Sequence, residues 1–277
     1  GLTIGIIERE FTNARGAQKQ IYADALDVLR RAGATLVPVT LPDLPSSALY
    51  ALLNAEAGAN AQAAVREQGG DAMFIQTDVT QVDAVKRAVE QAVAQYGGLH
   101  VIMNCAGGST QQDYPVHEMD IDNWHKTIAL NLFHPFLTCK FGIPHLIKAG
   151  GGSIINFASS LGMVGSVKPA YAASKGGIVA FTRTLAAQYA QHRIRANAIA
   201  PGVVRSERQL KRWEDPNGEK TPQRLAYDNL KQLYPFSVSE PEQIAALALF
   251  LASDDSAMMT GATVPADGGK STYLKVQ

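Results

Sequence analysis

The feature that most constrains this chain is a regular alternation of short apolar runs with longer helical stretches. Apolar runs occur at Ile4–Ile7, Thr35–Val39, Ala72–Ile75, Val101–Met103, Ser153–Phe157, Ile194–Ile199 and Thr263–Pro265. Between them lie helix candidates. Ala17–Arg31 is closed by Gly33. Val82, Val85, Val89, Val93 and Tyr96 recur at helical spacing. Further helices are read over Ile121–Lys148, YAASKGGIVAFTRTLAAQYA and PEQIAALALFLAS. Strands separated by helices pair in parallel, and the helices cover both faces of the sheet. The expected class is therefore α/β, a doubly wound parallel sheet of about seven strands in one domain over residues 1–277. LPDLPSS reads as a loop, with Ser46 or Ser47 capping an Ala-rich helix after it. The polar stretch 205–240 carries a DPNGEK turn signal.

Composition removes several classes of function. Hydrophobic residues make up 46% of the 277 positions, enough for a large core. The 25 basic and 25 acidic side chains cancel, which argues against a nucleic-acid footprint. No apolar run approaches a membrane span, and no leader-type segment opens the chain. Cys105 and Cys139 form no CxxC or metal pair and read as two reduced, buried thiols. These points lead us to expect a cytoplasmic protein without a nucleic-acid or membrane partner.

The strongest local signal is Tyr171-Ala-Ala-Ser-Lys175. Positions i and i+4 share a helix face, so phenol and ammonium can converge. A free tyrosine titrates near pH 10 and is a poor base at neutrality, roughly as model peptides show. A neighbouring cation favours the phenolate. Tyr171 could then exchange a proton with an alcohol or ketone while hydride moves to or from a nicotinamide. Ser159, twelve positions earlier at a strand end, could hold the substrate oxygen. An isolated pair of this kind is more often a solvated helix face. Here ASS, AASKGG and NAIAPG occur in order, which changes the reading.

With TDV at 77–79, NCAGG at 104–108, ALNLF at 129–133, GSIINFASS at 152–160, YAASK at 171–175, IRANAIAPG at 194–202 and ADGG at 266–269, residues from about 61 onward resemble the short-chain dehydrogenase/reductase family. The resemblance implies a Rossmann-like fold, an NAD or NADP cofactor and interconversion of a secondary alcohol and a ketone. It implies a catalytic tetrad of Asn131, Ser159, Tyr171 and Lys175, with Ser160 a competing serine and Asn131 anchoring a water that relays protons to Lys175. By the same resemblance Asp78 meets the adenine amino group and Val79 packs beside the ring. Asn104 stabilises the central strand, and Ala106 and Gly107 let the backbone approach the ribose. Pro201, Gly202 and Val204 pass the nicotinamide, and Ser206 stands near its carboxamide. Tyr171 and Lys175 also serve the cofactor. The family forms homotetramers or homodimers through its long helices and last strand, and takes small alcohols or ketones.

The opening of the chain departs from that pattern. A dinucleotide site normally begins with a glycine-rich turn between the first strand and helix. Here Ile4-Gly5-Ile6-Ile7 leads into EREFTNARGAQKQ, with Gly16 alone available. Residues 1 to about 60 resemble instead a fragment of the amidase-signature hydrolases, through GLTIGIIEREF, LRRAGATLVPVTLP and LYALLNAEAGAN. That family's serine-rich centre is absent, so amide hydrolysis is not expected. This strand–helix–strand piece is expected to complete the sheet, with Ile4–Ile7 at its centre. The pyrophosphate would then lie near Gly16, Thr12, Asn13 or Arg15. The second strand ends Val39-Thr40-Leu41-Pro42 with Asp43 beyond, so NAD and NADP are equally open. A rival reading is a catalytically silent binding protein that has lost the phosphate loop. No metal is expected: His117 and His125, beside Glu118, Asp120 and Asp122, lack ligand spacing. Trp213 reads as a pocket or lid residue.

Overall fold

Aliphatic runs are buried on both faces when they form central parallel strands, and three runs here do so. A computed structural model describes residues 3–6, 35–38, 49–51, 62–110, 112–206, 225, 228, 229, 232, 236 and 238–272. Within it β4 (Val101–Asn104), β5 (Gly152–Phe157) and β6 (Ile194–Pro201) form the middle of a five-stranded parallel sheet. A short ladder of β7 (Val203–Val204) with β8 (Val238–Ser239) comes next in the chain. The sheet is flanked by β3 (Leu49–Ala51) beside β4 and β9 (Thr263–Ala266) beside β6. Successive strand residues face opposite ways. Ile154 accordingly packs with Ile143 and Leu146 of α3 (His134–Lys148) and Leu185 of α4 (Pro169–Tyr189). Ile155 packs on the other face with Ile244 and Leu251 of α5 (Pro241–Ala252). The expected doubly wound α/β architecture is the one observed.

The helices obey their sequence signals closely. α1 (Val82–Tyr96) buries Val85, Ala88, Val89 and Ala92, and ends at Gly97, whose left-handed backbone lets its N–H return to the Val93 carbonyl. The stretch read as one long helix is continuous but changes pitch. α2 (Ile121–Ile128) runs through a wide π turn at Ala129–Phe133 into α3. Arg195 of β6 donates to the Leu251 and Ser253 carbonyls at the end of α5, fastening that helix to the sheet.

Three expectations need correction. Ala72–Ile75 forms no strand; Leu49–Ala51 takes the place beside β4, where the sequence suggests the start of a helix. Short apolar runs carry no periodicity that separates helix from strand, so tertiary pairing decides. Among the described residues of that region, 62–67 are helical. Ile4–Ile7 is not the centre of the five-stranded sheet. β1 (Thr3–Ile6) pairs with β2 (Thr35–Pro38) in a separate parallel ladder, and the centre is β5. The chain divides into two compact units, Gly1–Ser46 and Ser47–Gln277. The expected helix Ala17–Arg31, its Gly16 turn with Thr12, Asn13 and Arg15, the capping serines Ser46 and Ser47, Asp43 and Trp213 all lie outside the described residues.

Candidate active site

The carboxyl ends of parallel strands are where doubly wound sheets place their ligands. Here β4, β5 and β6 end together at Cys105-Ala106-Gly107, Ala158-Ser159-Ser160 and Gly202. They border a cavity of about 390 Å³ whose wall includes Gly107, Ser159, Ser160, Tyr171, Lys175 and Ser206. Three of the four expected tetrad residues thus line one cavity.

The fourth, Asn131, stands directly behind it. The π turn carries Asn131 into the protein with no solvent exposure. Its amide donates to the Gly108 carbonyl at 3.0 Å and to the Thr127 carbonyl at 2.9 Å, and its oxygen accepts the Gly108 N–H at 2.9 Å. Asn131 therefore fixes the turn after β4. That turn requires glycine: Gly107 has φ 155°, and a Cβ there would lie 2.6 Å from Asn131 Oδ1 and 3.3 Å from Lys175 Nζ.

Tyr171 and Lys175 sit one turn apart on α4. Lys175 is 4% exposed, its Nζ donates to the Phe157 carbonyl at 2.7 Å, and it lies 5.8 Å from the centroid of the Tyr171 ring. Burial disfavours its charge and brings its pKa down to about 8. The helix start is fixed from far away. Asp113, itself buried, accepts the N–H groups of Ala170 and Tyr171, each at 3.0 Å. Ser159 caps a short 3₁₀ turn at Ser160–Gly162 by accepting the Leu161 N–H at 3.2 Å, while its hydroxyl hydrogen keeps a donor role. A Cβ on Gly162 would lie 2.6 Å from the Lys175 carbonyl carbon. Glycine is what lets the serine loop press against α4.

Below the cavity a buried polar chain crosses the sheet. Thr138 donates to Asn104 (2.5 Å), Asn104 to Asn156 (2.8 Å), Asn156 to Thr182 (2.9 Å) and Thr182 to the Ile178 carbonyl (2.8 Å). It ties α3 to α4 through β4 and β5. His134, buried at the start of α3 with Nδ1 against the Leu130 carbonyl, is held neutral by that burial, its pKa lowered to about 4.

A model of the Enoyl-(Acyl carrier protein) reductase family, of the short-chain alcohol dehydrogenase type, matches residues 47–271. A D-threitol dehydrogenase of Mycolicibacterium smegmatis is 37% identical over 78% of this chain and 80% of its own length. A trans-4-hydroxycyclohexanecarboxylate dehydrogenase of Sinomonas cyclohexanicum is 35% identical over 92% of this chain and 90% of its own. An NAD+-bound xylitol dehydrogenase structure superposes with TM-score 0.70 at 28% identity, covering 85% of this chain and 88% of that one. The chain belongs to the short-chain dehydrogenase/reductase family.

It is thus an NAD(P)-dependent dehydrogenase/reductase. The amidase-signature likeness of residues 1–60 finds no support. The 92% alignment leaves at most 8% of the chain outside a dehydrogenase match, so that match enters the first 46 residues.

The residues around the cavity fit the nicotinamide end of a dinucleotide. A small-residue turn at Gly107-Gly108, a second at Pro201-Gly202, and Tyr171 and Lys175 as hydrogen-bonding groups suit a flat ring on a ribose. Asp78 and Val79 lie outside the cavity wall. Asp78 is exposed, and its Oδ1 accepts from the Thr80 N–H at 2.9 Å and the Thr80 hydroxyl at 2.7 Å, which holds its pKa below the ordinary carboxylate value. Asn104 is buried in the polar chain and Ala106 is half-buried.

Several residues behave otherwise than the sequence suggested. Cys139 is buried, but Cys105 is exposed at the cavity wall, because it stands just past the last hydrogen-bonded residue of β4; both are free thiols. His117 and Glu118 form an exposed pair at 3.3 Å, and Asp120 caps α2 by accepting the Asp122 N–H. Sequence reasoning missed Asp113, Lys168 and Lys270. The signal for the first was a helix start, VKPAY, with no local capping side chain.

Proposed function

We propose that this enzyme interconverts a secondary alcohol and a ketone, with Tyr171 as the proton-exchanging acid/base. The observation that carries this is a phenol and a buried ammonium one turn apart, lining one cavity with Ser159. When bound, NAD or NADP supplies or accepts the hydride. Tyr171 takes the hydroxyl proton in oxidation and returns it in reduction. Lys175 lies close enough to favour the phenolate. Ser159 donates to the substrate oxygen, with Ser160 the competing serine on the same wall. Asn131 acts as a positioning residue through its hydrogen bonds to Gly108.

For the cofactor, Gly107 and Ala106 form the ribose side, with Asn104 holding the strand beneath them, Pro201, Gly202, Val204 and Ser206 the nicotinamide side, and Asp78 and Val79 the adenine side. Names of relatives that refer to D-threitol, trans-4-hydroxycyclohexanecarboxylate and xylitol support a hydroxyl compound as substrate. Exposed Phe133 and Phe136, stacked at 5.9 Å along the α3 side, support a homotetramer or homodimer through the long helices. Two free thiols and no membrane-length apolar helix among the described residues are compatible with a cytoplasmic protein. We further propose that residues 1–46 belong with the rest of the chain as one Rossmann-like domain.

The test is Tyr171→Phe assayed over a panel of secondary alcohols with NAD+ and NADP+. A fall of two or more orders of magnitude in kcat, with nucleotide still bound, is expected for a lost general acid/base, whose contribution is typically 10²–10⁴-fold. Full activity in the variant would remove the proposal.

A further inference from the structure

We infer that the alcohol or ketone this enzyme takes carries a carboxylate, received by Lys168 and Lys270. The inference rests on the hydride-transfer reading above and specifies its substrate. Three ammonium groups, Lys168, Lys175 and Lys270, line the cavity, and no Asp or Glu does so among the described residues. Lys175 is committed to the Phe157 carbonyl and the tyrosine. Lys168 is half-buried, and its Nζ donates to the Thr110 carbonyl at 3.2 Å, which pins the ammonium at the wall. An ammonium has three donors, so Lys168 keeps two for a ligand. Lys270 is exposed and comes directly after the ADGG turn, where Asp267 accepts the Gly269 and Ser271 N–H groups and so shapes the backbone that carries it.

Asp113, a loop residue that caps the start of α4, offers no compensating charge to the cavity. It is 6% exposed, spends both oxygens on the α4 start and is not on the cavity wall. The described wall thus presents net positive charge in a partly enclosed place, where a Coulombic contact is screened less than at an open surface. Phe157, Leu161, Val203 and Val204 supply an apolar wall between. Lys168 begins one turn ahead of Tyr171, about 4.5 Å along the helix axis. The arrangement suits an apolar carbinol whose acid group is several bonds from the reacting carbon.

The test uses a matched pair of non-reacting probes, cyclohexanecarboxylate and cyclohexanecarboxamide, titrated into the full-length enzyme with NADH or NADPH and monitored by calorimetry. The carboxylate should bind at least tenfold more tightly. That advantage should shrink with added salt and vanish in Lys168→Gln/Lys270→Gln, with amide affinity unchanged. Equal affinities, or a preference that survives the double variant, would overturn the inference. So would a double variant that weakens nucleotide binding as much as carboxylate binding, since the lysines would then serve the nucleotide phosphates. Because the probes do not react, these outcomes are independent of whether Tyr171 proves catalytic.

Discussion

The carboxylate of Asp113 accepts the backbone N–H of Tyr171 at 3.0 Å across 58 positions of sequence. Its other oxygen takes the Ala170 N–H. The helix that presents Tyr171 and Lys175 is therefore capped by a loop residue from another part of the chain. Replacing a capping acid by alanine typically costs about 1 kcal/mol. Asp113→Ala is expected to lower Tm by several degrees and kcat several-fold, order-of-magnitude figures consistent with that cost. Asp113→Asn, with one acceptor oxygen in place of two, should fall between. Melting curves and steady-state rates on the three proteins check this; an alanine variant equal to wild type in both would remove the capping argument.

Lys175 makes stability depend on alkaline pH. Its pKa in the folded protein is about 8, against 10.5 for the free side chain. Between those values the unfolded chain binds more protons than the folded one, so folding gains as pH rises. The burial penalty is full below pH 8 and relieved towards pH 10.5. At 1.36 kcal/mol per decade it amounts to at most about 3 kcal/mol. Melting wild type and Lys175→Met from pH 7 to 10 should show the difference moving in favour of wild type. A constant difference would mean that the ammonium is not desolvated.

His134 gives the opposite limb. Its folded pKa of about 4 lies below the 6.5 of a free imidazole. Stability from the neutral ring is complete above pH 6.5 and is lost as pH falls towards 4, by up to about 3 kcal/mol. Urea titrations of wild type and His134→Gln at pH 7.0 and 4.5 should show wild type losing more. Parallel losses would count against a buried neutral ring.

A backbone test is available at Gly107. Alanine there would meet Asn131 Oδ1 at 2.6 Å and must hold φ 155°. Such strain costs about 1–3 kcal/mol, and the displaced Asn131 should take activity with it. Gly165, around which a Cβ would meet nothing within 4 Å, serves as the control and should tolerate alanine. Equal Tm for the two variants would contradict the packing described.

What could be read from the sequence was whatever is local. Tyr171 and Lys175 show themselves because four residues of helix bring them together, and the runs that became β4, β5, β6 and β9 show themselves by apolar content bounded by turns. Asp113 was invisible because its partners lie 57 and 58 positions away and no pattern marks the pairing. Lys168 and Lys270 were missed for the same reason: the cavity wall is assembled from separate strand ends. The exchange of Ala72–Ile75 for Leu49–Ala51 beside β4 is a choice between two short apolar runs that only strand pairing makes.

The π turn at Ala129–Phe133 has a consequence for how this enzyme can change over time. An i→i+5 turn holds one residue more than the α geometry on either side. Point substitutions on its outer face can accumulate while the helix keeps its course. Removing a single residue would instead tighten the turn into regular α-helix; four α residues turn the chain about as far as five π residues, so α3 would keep its facing while the wide turn that carries Asn131 inward was lost. This segment is free to drift in composition but locked in length.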